Sequence, residues 1–382
     1  MRRRPDGSPL GGSWPAISVV VATRGRAGSV ARLLATLAAA GSRYPGEAEV
    51  VVSDATTGAD RDRIRRIAAG AGARVVSGPV GVGVQRNRGW RAAQGELVIF
   101  VDSDCTATPG LLSALVTAFA DPCVVAVAGR VRFAGPRSLP LEAAFATGVV
   151  AAFDGFDKRD GERVPWGVTA NLAVRRTALV AVGGFDEGVP AGEDVDLGLR
   201  LSRLGKLQYA SEALVEHHTE TWEGMAEVAV RFFRYGRADA HLRRAHPAVR
   251  GGVEPSALPA LLLALAIAGW RTARGRGQPA IPVGACLVSL AGTLVLAGWW
   301  ERPAGRRSVF ALVLMECLAA GRMVEAVRLG RWGDVWCGVV LDEGQREREA
   351  SGRRRAWLAA VVPGIATVAA AARGARWRKS WS

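Results

Sequence analysis

Sulfur has little to offer in this chain of 382 residues, which holds five cysteines and no CxxC pair. A disulfide-built scaffold and a zinc ribbon are both excluded. Tyrosine is scarce, at 3 residues against 12 Trp, and lysine is rare, so Arg supplies nearly all the positive charge. Only 22% of residues are charged while 49% are hydrophobic, which rules out a mainly disordered chain. The start, Met1 to Gly7, is basic through Arg2, Arg3 and Arg4, but no apolar stretch of signal-peptide length follows it. Residues 1–15 read as a disordered basic N-terminus.

What the chain has is length for one large domain with appendages or two modest ones, and a net charge of +15. The charge is uneven. Residues 256–382 hold 18 Lys plus Arg against 8 Asp plus Glu, whereas the first 255 residues hold 32 against 27. A basic excess can serve nucleic acid, but GC-rich coding bias also produces an arginine excess, and a nucleic-acid partner is not expected.

Short apolar runs alternate with helical patterns. Ile17 to Ala22, Val50 to Ser53, Arg74 to Ser77 and Leu97 to Val101 read as strands. Ser29 to Ala39 places Val30, Leu33, Leu34 and Leu37 on one helical face, residues 60–69 read as a charged surface helix, and Gly81 to Gln94 reads as a third helix. That alternation predicts an α/β fold with a mostly parallel sheet and helices on both faces. Ligands of such sheets bind at the carboxyl ends of the strands, where Thr23, Asp54 and Asp102 fall. Asp102 and Asp104 are two apart just after the most apolar strand. Two carboxylates so close repel unless a cation or a proton separates them, and an oxygen-coordinated divalent metal does so.

Four blocks in order carry a family resemblance: SVVVATRGR at 18–26, VVSDAT at 51–56, VGVQRNRGWRAAQGELVIFVDSDC at 82–105 and GGFDEGVPAGEDVDLGLRLSRLG at 183–205. With them the chain resembles a family 2 glycosyltransferase of the GT-A fold over about residues 16–240, with the mycofactocin-type actinobacterial subgroup nearest in the RFFRYG string. The resemblance implies a GT-A domain at 16–250 and an inverting transfer from a nucleoside diphosphate sugar, UDP-linked in the nearest subgroup, to a hydroxyl of a lipid, a polysaccharide or a peptide-derived cofactor. It implies Mn2+ or Mg2+ as cofactor.

Residue by residue, Thr23 and Asp54 match the positions that hold the nucleobase, although Ser53 stands where the family usually has a second acid and Thr23 also reads as a helix cap. Arg86 matches the diphosphate or ribose contact, and Asp102 the ribose or shared metal contact. Asp104 matches the metal ligand. His217, preferred over its neighbour His218 by alternation with Val215, completes the metal site. Asp194 matches the catalytic base, with Glu193 beside it. Trp166 and Asn171 fall in the block where the acceptor side begins, Trp166 reading equally as a core residue. Arg231, Arg234 and Tyr235 stand where processive relatives carry Gln-x-x-Arg-Trp, and the departure from that pattern argues against processivity.

Residues 251–382 read as a hydrophobic and basic helical region associated with a membrane. Pro255 to Trp270 and Gly277 to Trp300 are uncharged, the second long enough to span a bilayer and closed by Trp299 and Trp300. Ser308 to Met315 is apolar up to Glu316, Ala356 to Ala372 is uncharged, and Arg373 to Ser382 mixes basic residues with Trp377 and Trp381. The expectation is a cell-membrane protein with lipid partners and a catalytic domain facing the cytoplasm. The rival expectation is a non-catalytic, membrane-associated sugar-nucleotide-binding or scaffold protein on a degenerate transferase fold.

Overall fold

The computed structural model describes residues 13–150, 158–249, 251–253, 305–331, 334–335 and 337–339. The chain divides into two compact units, one of residues 1–136 and 150–221, the other of residues 137–149 and 222–382.

The first unit is built on one eight-stranded sheet. Its strands are β1 (Ile17–Thr23), β2 (Ala48–Asp54), β3 (Arg74–Ser77), β4 (Leu97–Asp102), β5 (Cys105–Ala107), β6 (Val124–Ala134), β7 (Asn171–Arg175) and β8 (Lys206–His218), in the order β3-β2-β1-β4-β7-β6-β8-β5. β3, β2, β1 and β4 run parallel, joined through α1 (Ala27–Gly41), α2 (Ala59–Gly70) and α3 (Val82–Ala92). β4 is uniformly apolar because both its faces are covered. Leu97, Ile99 and Val101 join the core that contains Val30, Leu33 and Leu37 of α1, while Val98 and Phe100 join the opposite core with Trp90 and Leu172. A strand with one wet face would alternate in polarity.

Beyond β4 the sheet departs from the expected mostly parallel pattern. β7 pairs antiparallel with both β4 and β6, and β5 pairs antiparallel with β8, leaving β6 and β8 as the one further parallel pair. The sheet is therefore mixed. The physical reason lies in the connections. β5 follows β4 after only Ser103 and Asp104, too short a link for the crossover a parallel neighbour needs, and it pairs antiparallel with β8 instead. β6 and β8 pair over most of their length, with a register shift at Gly129/Arg130 that bends them in mid-course. Asn171 stitches that bend: its amide donates to Arg130 O at 2.9 Å and Ala213 O at 2.8 Å. α4 (Leu111–Thr117), α6 (Arg176–Val182) and α7 (Glu193–Leu201) complete this unit.

The second unit contains α5 (Leu139–Ala146), α8 (Met225–Ala245), α9 (Gly305–Arg328) and the antiparallel pair β9 (Gly251–Val253) and β10 (Cys337–Val339). α8 and α9 pack with backbones nearly touching. A Cβ on Gly236 would collide with the Leu318 carbonyl, and one on Gly321 with the Phe233 carbonyl. Buried charges are paired across the two helices: Arg322 with Asp239 at 2.7 Å and Arg237 with Glu325 at 2.8 Å. Arg243 and Arg331 both reach Asp334, at 3.0 and 2.5 Å.

This corrects the reading of a membrane-associated C-terminal region, and with it the expected cell-membrane location. The apolar run Ser308 to Met315 is the first part of α9, whose second part buries Arg322 and Glu325 in ion pairs with α8. No helix among the described residues is long and apolar enough to cross a membrane. The stretches 255–270, 277–300 and 356–372 and the tail 373–382 lie outside the described residues.

Candidate active site

The parallel register brings the strand ends level, Thr23 opposite Asp54 and Ala22 opposite Asp102. Thr23 is buried, and its hydroxyl donates to Gly25 O at 3.0 Å. Gly25 N–H donates to Thr56 Oγ1 at 2.6 Å, so the turn after β1 is tied to the end of β2. Gln85 of α3 closes the same corner by donating to Thr23 O at 2.6 Å. Asp54 is 1% exposed. Its Oδ1 accepts from Thr56 N–H at 2.8 Å, but its buried Oδ2 has no partner among the described residues. An unpaired buried carboxylate oxygen is costly and marks a position waiting for a donor. Ser53 Oγ is likewise buried with no partner among the described residues.

α3 supplies two residues with different work. Asn87 is fully engaged: its amide donates to Phe185 O and to Glu187 Oε1, both at 2.8 Å, while its Oδ1 accepts from Phe185 N–H at 2.8 Å and Trp90 Nε1–H at 2.9 Å. It holds the turn Gly183-Gly184-Phe185. Gly184 has φ 76°, and a Cβ there would strike Asn87 Oδ1 and Trp90 Nε1, so only glycine fits. Phe185 packs edge-on against Phe100 at 5.1 Å.

Arg86 lies buried between two carboxylates. One terminal nitrogen donates to Asp102 Oδ1 at 2.8 Å and the other to Glu193 Oε1 at 2.5 Å. Burial works against its charge, but Asp102 and Glu193 outweigh burial and hold the guanidinium more firmly protonated than usual. The fork thus bridges the end of β4 to the start of α7, where Gly192, with φ 74°, turns the chain into the helix.

Asp194 follows Glu193 in the first turn of α7. Helix N-termini favour charged carboxylates, and Val195 N–H donates to its Oδ1 at 2.9 Å. Even so its pKa is raised to about 7, first by burial and then by the negative charge of Glu193, with Asp102 adding to them. Arg86 and the Val195 amide oppose the rise without cancelling it. Asp196, further along the same helix, serves the fold instead. It pairs with Arg200 at 2.5 Å, and Arg200 also donates to Val182 O and Gly184 O.

A second group lies past the end of β4. Asp104 Oδ2 accepts from Arg26 at 2.9 Å, and Asp104 Oδ1 faces His217 Nε2 at 3.5 Å. His217 Nδ1 lies 3.1 Å from the His218 carbonyl oxygen. A carbonyl only accepts, so the Nδ1 is the donor in that contact and the Nε2 is the ring nitrogen turned to Asp104. Cys105 is paired with His217 across β5 and β8, and its sulfur joins the Asp104 oxygen and the His217 nitrogen in a group whose donor atoms all lie within 4.8 Å of one another. Burial pushes the Cys105 thiol well up, with Asp102 and Asp104 adding to the rise. His218 turns elsewhere, its Nε2 lying 3.4 Å from Thr106 Oγ1.

Among the other residues expected here, Trp166 is half-buried and packs against the α1-side core and over Gly198, where a Cβ would collide with it. Asn171 is wholly buried within the sheet. Arg231, Arg234 and Tyr235 lie on α8 in the second unit; Arg231 stacks on Trp222 at 4.1 Å and Tyr235 lies 5.8 Å from Phe232. Sequence reasoning missed Arg26 and Cys105. Arg26 is the only non-glycine with positive φ among the described residues, at 61°, and it follows Gly25 at 74°. The signal for it was a glycine just before a helix that lacks a Ser, Thr or Asp cap.

Carboxylates gathered at the carboxyl ends of parallel strands, facing a helix N-terminus, define an α/β protein with its ligand crevice at that edge. Residues 18–179 match the model of glycosyl transferase family 2. It is 32% identical over 253 residues to the pre-mycofactocin glycosyltransferase of Mycobacterium tuberculosis, covering 63% of this chain and 50% of that protein. The chain thus spans about half the length of the curated relatives it matches. Among solved structures it is similar to a mannosyltransferase from Pyrobaculum calidifontis in complex with GDP-Man and Mn2+, at TM-score 0.48 and 20% identity over 92% of this chain and 87% of that one. It is also similar to glucosyl-3-phosphoglycerate synthase from Mycobacterium tuberculosis, at TM-score 0.43 and 21% identity over 60% of this chain and 80% of that one.

Proposed function

We propose that the protein is an inverting glycosyltransferase that moves a sugar from a nucleoside diphosphate sugar to a hydroxyl acceptor, with Asp194 as the base. The observation that supports this most directly is the place of Asp194, in the first turn of α7 beside the Arg86 fork that joins Glu193 to Asp102 at the end of β4, where burial and Glu193 raise its pKa to about 7. A base with that affinity for protons is half ionised near neutrality and can take the acceptor hydroxyl's proton as that oxygen attacks the anomeric carbon from the face opposite the leaving diphosphate.

The donor's base fits the end of β1 and β2. Asp54 Oδ2 offers an unused acceptor for an N–H of a nucleobase. Asp102 turns one oxygen to Arg86 and keeps the other for a ribose hydroxyl. Arg86 acts as a positioning residue: its two terminal nitrogens are committed to Asp102 and Glu193, so it reaches the donor through Asp102 and the base through Glu193.

Asp104 and His217 fit a divalent metal, Mn2+ or Mg2+. Each is already oriented by a second partner, Asp104 by Arg26 and His217 by the His218 carbonyl, which leaves one oxygen and one nitrogen lone pair facing each other. A metal held there supplies positive charge to the leaving diphosphate.

The transfer residues all fall within residues 16–250. The resemblance to the pre-mycofactocin glycosyltransferase makes pre-mycofactocin the first acceptor to try. The test is mass spectrometry of products from a nucleotide-sugar panel, run with the full chain and with Asp194→Asn. Transfer that disappears in the variant while calorimetric donor binding persists is the expected result. Equal transfer by both proteins refutes the assignment of the base.

A further inference from the structure

Cys105 has no part in the transfer chemistry above, yet its sulfur lies in the same group as Asp104 and His217. We propose that these three residues form a thiophilic metal site, which takes zinc or cadmium through Cys105 as well as through the oxygen and nitrogen donors. The inference rests on the metal role given above to Asp104 and His217 and adds a third donor to it.

Three independent features place the donors. The backbone pairs Cys105 directly with His217 on antiparallel strands, which sets both side chains on one face of the sheet. The other atoms of the two partners are already spoken for: Asp104 Oδ2 by Arg26, and His217 Nδ1 by the His218 carbonyl. What remains is Asp104 Oδ1, His217 Nε2 and Cys105 Sγ, mutually within 4.8 Å and all buried. Among the described residues no other group of three His, Cys, Asp or Glu donors has this spacing.

Carboxylate and imidazole alone accept manganese readily, whereas a thiolate shifts preference to soft or borderline ions. Three protein ligands with a fourth position open are an ordinary zinc arrangement. Binding forms one metal–sulfur bond and breaks the Cys105 S–H bond, the proton leaving to solvent. No electron changes hands. The half-exposed Arg26 side chain borders the group. Zinc and the transfer metal then compete for one place, so the thiol makes the protein sensitive to zinc.

Cadmium reports the sulfur directly, because a cadmium–thiolate bond adds a near-ultraviolet charge-transfer band. Cd2+ titrated into the full-length protein should give that band at one equivalent. Cys105→Ala and Cys105→Ser should both lose it, with folding checked by circular dichroism. Zn2+ affinity, read by competition with a chromophoric chelator, should fall at least about tenfold in both variants. No band in the parent protein, or a band that persists in a folded Cys105 variant, overturns the inference. The two readings fail separately. A band lost with Cys105 in a protein whose transfer survives chelation keeps the thiophilic site and removes the metal from transfer. Metal-dependent transfer without the band does the opposite.

Discussion

Arg26 and Asp104, 78 residues apart in sequence, meet at 2.9 Å with the arginine in a left-handed backbone conformation. The guanidinium takes one carboxylate oxygen and leaves the other directed at His217. Because Arg26 is about half exposed, the pair adds only about 0–1 kcal/mol to stability. Its use is orientation. Arg26→Gln should leave the thermal midpoint nearly unchanged while weakening Mn2+ binding about tenfold, as read by electron paramagnetic resonance of free Mn2+. Arg26→Gly separates the two effects further. It removes a left-handed non-glycine and should melt no lower than the parent, yet bind metal as poorly as the glutamine variant.

Asp194 sets an acid limb. The pH profile of kcat/KM should fall below about 7 as the base takes up a proton. The effect on stability is opposite to that of a salt-bridged carboxylate. The folded carboxyl binds its proton more tightly than the unfolded one, so stability declines as pH rises from about 4 to about 7. Asp194→Asn should lose about 10²–10⁴ in kcat and should gain stability over the parent at pH 8 but not at pH 4. Paired kinetics and melting curves at the two pH values check both halves.

Removal of Arg86 strands two carboxylates. Arg86→Met should cost about 3–5 kcal/mol by chemical denaturation, because Asp102 and Glu193 then face each other without a cation. Arg86→Lys retains charge but not the fork. It should fold, and its acid limb should move to higher pH, since Arg86 opposes the rise at Asp194.

Asp54 predicts base recognition. Asp54→Asn converts a buried acceptor oxygen into an amide and should weaken nucleoside diphosphate binding by about 1–3 kcal/mol, measured by calorimetry with UDP and GDP in parallel. Unchanged affinity for both nucleotides would place the nucleobase elsewhere.

In the second unit, Arg322→Ala should destabilise by about 3–5 kcal/mol by removing the buried guanidinium that Asp239 meets at 2.7 Å. Replacing both partners, Arg322→Met with Asp239→Leu, should recover most of that loss in denaturant titrations.

The first unit was legible where strand order alone places the acids. β1 to β4 announce themselves as apolar runs, and Thr23, Asp54 and Asp102 fall at their ends without any knowledge of side-chain packing. β6, β7 and β8 were not legible, since their antiparallel pairing and the bend at Gly129 and Arg130 depend on partners distant in sequence. Nor was the character of α9. An apolar run ending at Glu316 is compatible with lipid or with a neighbouring helix, and it is the ion pairs of Arg322 and Glu325 with α8 that decide between them.

The sequence by itself determined the order of strands and helices at the front of the chain, the acids at the strand ends and the resemblance to a transferase family, because those follow from local periodicity and motif. The tertiary structure decided which atoms remain free to act. Arg86 has its two terminal nitrogens on Asp102 and Glu193, partners that no spacing along the chain names. Alternation with Val215 pointed to His217 rather than His218, but that Cys105 shares its place beside Asp104 follows only from the pairing of β5 with β8 over more than a hundred residues. Long-range register and burial are properties of the folded chain, and spacing along the sequence does not contain them.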